Sequence, residues 1–204
     1  MPTSPKAPVK APPVILRERR LATQNSKWDV FWDDITGADG SQVNGYLVIA
    51  PRGQNASRIG GTAILPVLPD GRIGLVRNYR HPLELEAWEA PRGFLDPGEG
   101  DTAAAALREL EEETGYVGER ANVIALGIFA QEPSTIAGRS ALFAVTGCRK
   151  GMNAPDFSEP GLGELAFFTL QEALDLADRG EIQDAATLVA IYRYARESQR
   201  RQPR

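Results

Sequence analysis

Apolar and polar positions along the chain change period several times, and each change predicts an element. Trp28–Ile35 has strand-like content, Gly37–Gly40 reads as a turn, and Gln42–Ile49 as a returning strand, so the three suggest a hairpin or small sheet. Pro51–Ser57 is a loop signal. Thr62–Leu68 and Ile73–Arg77 are apolar runs around the turn Pro69-Asp70-Gly71. Leu85–Ala90 predicts a short strand ending at the Pro91-Arg92-Gly93 break. Further along, Ala121–Phe129 and Ser140–Thr146 read as strands joined by Gln131–Gly138, and Leu165–Leu170 as a late strand after a polar, glycine-rich connection from Gly151 to Gly163. A helix opens at Thr169 or Gln171 and stops at Gly180; a last helix over Ile182–Ser198 keeps Ala185, Leu188, Val189, Ile191 and Tyr192 at helical spacing. Strands and helices mix without regular βαβ alternation. That favours an α+β chain, a helix–sheet–helix sandwich, over a doubly wound parallel sheet.

One more helix carries the candidate chemistry. Asp101 or Thr102 can cap its start, and Gly115 can supply a left-handed residue at its end. At about 100° per residue, Ala103, Ala106, Leu107 and Leu110 share a sector that can bury. Glu109, Glu112 and Glu113 gather on the adjoining sector, and Arg108 lies one turn before Glu112, close enough to pair with it. Carboxylates this close repel, and no lysine follows at matching positions. Two readings stand: a hard dication with a preference for oxygen ligands, such as Mg²⁺, or an acidic helix that is merely solvated.

Composition narrows the classes. The 204 residues suit one domain with an appendage, and a hydrophobic fraction of 42% is ample for a core. A net charge of −4 argues against a general nucleic-acid binder. A single cysteine, Cys148, excludes an internal disulfide and a cysteine zinc cluster; it reads as a small core residue. The single histidine, His81, rules out motifs that need two. No apolar run approaches the roughly 20 residues of a membrane span, and residues 1–24 read as a flexible tail without a secretory signal, which points to the cytoplasm. Arg17, Arg19 and Arg20 read as a solvated basic cluster within that tail.

The loop before the glutamate helix changes the balance. Gly93, Glu99, Arg108, Glu109, Leu110, Glu112, Glu113, Gly115 and Tyr116 occupy the places of the Nudix box, and the chain resembles that hydrolase family. One departure is definite: eight residues, not the box's seven, separate Glu99 from Arg108, with the extra residue in Gly100-Asp101-Thr102. The resemblance implies an α/β/α sandwich around a mixed sheet and hydrolysis of nucleoside diphosphates linked to another group, with Mg²⁺ or Mn²⁺. It implies that Glu109, Glu112 and Glu113 hold the metal, joined by the backbone carbonyl of Arg92. It further implies that Arg108 orients these glutamates and that Glu99 is an auxiliary ligand or orients water.

Val76–Pro82 followed by Trp88-Glu89-Ala90-Pro91-Arg92-Gly93 is similar to the ADP-ribose pyrophosphatase group, with Arg92 where that group often has alanine. The resemblance implies a small N-terminal β-domain at 25–57, a catalytic domain at 58–198 before a polar end at 199–204, and a homodimer built on the N-terminal strands. Arg80 is the phosphate or ribose contact, or else an ion-pair partner of Glu84 or Glu86. Trp28 and Trp32 either stack on an adenine or pack in the sheet. The glutamate that the group carries in a later loop is replaced by Arg139 or Ser140, and Arg139 can contact a phosphate instead. Glu132, Glu159 and Glu164 are the acids left to act as base. ADP-ribose or a nucleotide sugar is the expected substrate. A nucleotide sensor without turnover, and a plain interaction protein with an acidic helix, are the alternatives.

Overall fold

In the computed structural model, which describes residues 13–155 and 160–201, the chain forms two compact units divided between Ala50 and Pro51. The first unit is a sheet of three strands in the order β1–β2–β3: β1 Val14–Gln24, β2 Trp28–Gly37 and β3 Gln42–Pro51, the last reaching the division itself. β1 corrects the expectation of a flexible tail over 1–24 for its described part. The strand is not apolar enough to announce itself. Its partner explains it: Arg19 binds both carboxylate oxygens of Asp33 at 2.7 and 2.6 Å, and Arg20 those of Asp34 at 3.0 and 3.1 Å. Arg17 donates to Asn44. Arg19 and Arg20 are thus matched to acids on the neighbouring strand, as opposite-charge cross-strand pairs require. The division at Ala50 also falls earlier than the expected boundary after residue 57.

The second unit is built on a mixed sheet. Its strands are β4 Ile59–Val67, β5 Ile73–Arg80, β6 Leu85–Glu89, β7 Arg92–Phe94, then, after the helix α1 Thr102–Thr114, the short β8 Tyr116–Val117, β9 Val123–Phe129, β10 Arg139–Thr146, the short β11 Arg149–Lys150 and β12 Leu162–Phe168. The helices α2 Leu170–Asp178 and α3 Ala185–Arg201 complete it. The main order is β12–β5–β4–β10–β9, with β10 parallel to β4 and its other neighbours antiparallel. β8 and β11 pair separately.

β4 is buried along its whole length. Ala63, Leu65 and Val67 face one core with Leu142 and Ala144 of β10 and with Ala186, Ala190 and Ile191 of α3. Ile64 faces the other core, with Phe143 and Val145 of β10 and Ala105, Ala106 and Leu110 of α1. Helices therefore cover both faces of the sheet, which is why β4 reads as an unbroken apolar run and not as an alternation. The expected α/β/α sandwich is observed.

One irregularity sets up everything that follows. β4 and β5 are joined only at Val67 and Ile73. Beyond that pair they separate, and the chain from Leu85 to Phe94 fills the gap. β6 pairs with β5 from Val76 to Arg80, and β7 pairs with β4 from Gly61 to Ala63. Between them Pro91 cannot donate, yet its carbonyl accepts from Ile64 N–H.

The cross-strand charges of the first unit generate a prediction. The Arg20 guanidinium and the Gly45 N–H hold the Asp34 carboxyl below its ordinary 3.8, at about 2. A depressed folded-state value means that this pairing stabilises fully above about pH 4 and is lost as pH falls towards 2. A carboxyl-detected NMR titration of the whole chain is expected to place the Asp34 midpoint about two units under a free aspartate; a midpoint near 3.8 would contradict the pairing.

Candidate active site

α1 forms where the sequence places it. Asp101 caps it by accepting from Ala103 and Ala104 N–H at 3.1 Å each, and Gly115 ends it in the left-handed region at φ 67. Ala105, Ala106 and Leu110 bury against the sheet. This leaves Arg108 and the glutamates at the helix edge facing the strand break at Pro91–Gly93.

Arg108 is the hub. One terminal nitrogen lies 2.8 Å from Glu109 and 2.7 Å from Glu112; the other reaches the Phe94 carbonyl at 3.2 Å and Glu99 at 3.4 Å. Burial works against its charge, but the Glu109 and Glu112 carboxylates outweigh that and hold the guanidinium above its ordinary pKa. Only Gly100 separates Glu99 from the capping residue Asp101. Glu99 accepts from Asp96 N–H at 3.0 Å and still meets Arg108.

Glu109 is the buried member of the set. Its carboxylate lies directly against the Gly93 main chain: a Cβ at that position would come within 2.0–2.1 Å of it. Any larger residue there would have to move that carboxylate aside. Glu113 faces the other way along the same loop and accepts from the Arg92 N–H at 2.9 Å. The loop and the helix therefore touch through a main-chain N–H and a missing Cβ.

The three helical glutamates do not converge on one point as a cation cage, and among the described residues no three histidine, cysteine or acidic side chains do so. Arg108 sits between Glu109 and Glu112, while Glu113 is drawn to the loop N–H. The donor chemistry nonetheless fits a hard dication. Three carboxylates, Glu99, Glu109 and Glu112, share one guanidinium, so these four side chains carry two uncompensated negative charges.

The other expected contacts are placed as follows. Arg80 does pair with an acid, but with neither Glu84 nor Glu86. Its Nε binds Glu89 at 2.9 and 3.1 Å, and a terminal nitrogen binds the same carboxylate. Glu86 pairs instead with Arg77 at 2.9 Å. Arg139, exposed at the start of β10, donates to the Ser57 carbonyl. Trp28 opens β2 in the first unit, half-buried. Glu132 is taken up by Ser134 in its own turn, Glu164 is exposed on β12, and Glu159 lies outside the described residues. Cys148 is buried, and burial raises its thiol pKa, in keeping with a core residue.

The sequence motifs assign no role to three residues at this site: Glu89, Asp184 and Thr187. Glu89 is 2% exposed, and Arg80, Arg92 and Asn78 surround it. Its signal is an acid one residue after an apolar stretch, which alone does not tell a buried carboxylate from a surface one. Asp184 and Thr187 stand at cap spacing before the apolar face of α3.

Comparison with known proteins gives the family. The NUDIX domain model matches residues 58–189. The chain is 35% identical over 146 residues to the methanol dehydrogenase activator of Bacillus methanolicus, covering 69% of this chain and 77% of that protein. It is 31% identical over 163 residues to the ADP-ribose pyrophosphatase of Bacillus subtilis (strain 168), covering 80% of this chain and 82% of that enzyme. In shape it matches a crystal structure of an ADP compounds hydrolase with a TM-score of 0.75 at 20% identity, over 95% of this chain and all of the other, a likeness that shows the fold. The chain belongs to the Nudix family of hydrolases.

Gly93 supplies the test of this packing. Gly93→Ala must displace the ion-paired Glu109 carboxylate, an overpacking cost of about 1–3 kcal/mol. Urea unfolding is expected to show that loss, and a stability equal to the parent would mean that the contact is slack.

Proposed function

We propose that the protein is a metal-dependent pyrophosphohydrolase that cleaves a nucleoside diphosphate linked to a sugar, with ADP-ribose as the leading substrate, giving AMP and ribose 5-phosphate on uptake of one water. The observation that carries this reading is the Arg108 hub. It gathers Glu99 of the preceding loop and Glu109 and Glu112 of α1 around one guanidinium, with the Glu109 carboxylate against Gly93. Relatives named for ADP-ribose and ADP-sugar pyrophosphatase activity support the substrate class.

Glu109, Glu112 and Glu113 would hold Mg²⁺ or Mn²⁺, with the Arg92 carbonyl as a further oxygen donor. When bound, such an ion neutralises the diphosphate, lowers the pKa of a bound water and stabilises the leaving oxygen. The remaining roles belong to the chain. One of these glutamates takes a proton from the attacking water, and Glu112, its side chain 49% exposed, is the one we assign to it. Arg80 pairs with Glu89, its side chain stays 31% exposed, and its planar guanidinium suits contact with a diphosphate oxygen.

The assay is AMP release from ADP-ribose with Mg²⁺. We expect turnover by the parent protein and a fall of two or more orders of magnitude in Glu112→Gln and Glu113→Gln with the circular dichroism unchanged. Saturable binding of intact ADP-ribose without release of AMP would replace the enzyme reading with that of a sensor.

The protein is further proposed to be a homodimer. The first unit exposes Val14, Ile15, Leu16 and Leu21 on β1, Trp32 on β2 and Val43 on β3, an unusual amount of apolar surface for so small a sheet. Light scattering is expected to give twice the chain mass, and a monomer at micromolar concentration would exclude this.

A further inference from the structure

A second group of charges stands behind the loop. Arg92 extends one terminal nitrogen to Asp184 at 2.6 Å and the other to Glu89 at 2.9 Å. Asp184, just before α3, accepts with its other oxygen from Thr187 N–H at 2.8 Å and Thr187 Oγ1–H at 2.7 Å. Thr187 Oγ1, fully buried, in turn accepts from Ala90 N–H at 2.8 Å. These bonds close a ring: Ala90 main chain, Thr187, Asp184, Arg92 side chain, and back along the chain through Pro91.

The ring grips the segment whose main chain meets the glutamates. The Arg92 N–H that Glu113 accepts and the Gly93 Cα that faces Glu109 are adjacent in sequence and follow directly from the gripped residues. Together with Arg80 and Glu89, the ring is also electrically balanced. Arg80 and Arg92 match Glu89 and Asp184, two cations against two anions. It therefore has no need of a metal, unlike the carboxylates around Arg108.

We propose that Asp184 is a positioning residue, which through Arg92 and Thr187 sets the Ala90–Gly93 main chain against Glu113 and Glu109. It touches neither substrate nor metal itself. The consequence for the reaction rests on the function proposed above; the positioning of the main chain does not.

Asp184→Asn and Asp184→Ala test it, with Thr187→Val as a variant that leaves every charge in place. In ¹⁵N NMR of the metal-free protein, all three are expected to shift the Arg92 and Gly93 amide resonances, and Glu113→Gln to shift the Arg92 amide alone of the two. Mn²⁺ affinity, read by electron paramagnetic resonance without substrate, is expected to fall about tenfold in Asp184→Ala. With ADP-ribose, kcat is expected to fall about tenfold with KM within a factor of three, and Asp184→Glu to recover part of the loss. A double variant Arg92→Ala/Asp184→Ala is expected to lose no more than the worse single one, because the two act as a unit. Unmoved Arg92 and Gly93 amides together with parental Mn²⁺ affinity would overturn the proposal, whatever the protein does to ADP-ribose. A lower melting temperature with unchanged amides and kcat would do the same, by showing a purely structural pair. If Asp184→Ala does not fold, Thr187→Val decides by the same amide shifts. If the parent releases no AMP, the function falls, and the amide and Mn²⁺ readings still judge the positioning.

Discussion

The separation of β4 from β5 is the constraint on which the site depends. Two neighbouring strands that meet at a single residue pair leave main-chain donors and acceptors without ladder partners, and buried ones must be satisfied. The segment from Leu85 to Phe94 satisfies them by pairing first with β5 and then with β4. To change partners it has to turn between the two, and it does so at Ala90-Pro91. The turn brings the Arg92–Gly93 main chain into the middle of the sheet edge, opposite α1, and presents an N–H and a bare Cα to two glutamates. The strand break is therefore a structural solution and the origin of the site at once.

That solution buries Glu89, and a carboxylate at 2% exposure must be paired. Arg80 and Arg92 do this from two strands. Leaving such a charge with one partner removed typically costs about 3–5 kcal/mol. The arrangement around α1 is different in kind. Arg108 faces Glu99, Glu109 and Glu112 together, with Glu112 half-exposed, so the excess negative charge lies where water and ligands reach it. One cluster is neutral within itself; the other is left anionic at its rim. Local charge balance thus separates the scaffold of the site from the face proposed to take up cations and phosphates.

What could be read from the sequence follows the range of the interactions. α1, its Asp101 cap and its Gly115 stop are local, and so are the spacing of the glutamates and the reach from Arg108 to Glu112. β4 and β10 announce themselves because both of their faces are buried. β1 does not. Its stability resides in acids on β2, and a basic polar stretch looks like a tail until the complementary strand is laid beside it. Arg80 could be recognised as an ion-pair candidate, but Glu84 and Glu86 were nearer in sequence than Glu89, whose side chain shares the inward face across the hairpin. Asp184 is further still. It and Arg92 are 92 positions apart, and only the packing of α3 on the sheet brings them together.

Arg92 shows why such a partner matters. The similar pyrophosphatase motif often places alanine there, a side chain that asks nothing of its surroundings. A guanidinium at the same place, 26% exposed, must find acceptors close by. Glu89 alone would serve two arginines with one carboxylate. Asp184 restores the balance, and because its other oxygen is held by Thr187, the added charge comes with a direction. The loop that the helix glutamates lean on is thereby tied to α3 on the opposite face of the sheet. A change at the start of α3 that left the core intact would still reach Glu113, through one side chain and one peptide N–H.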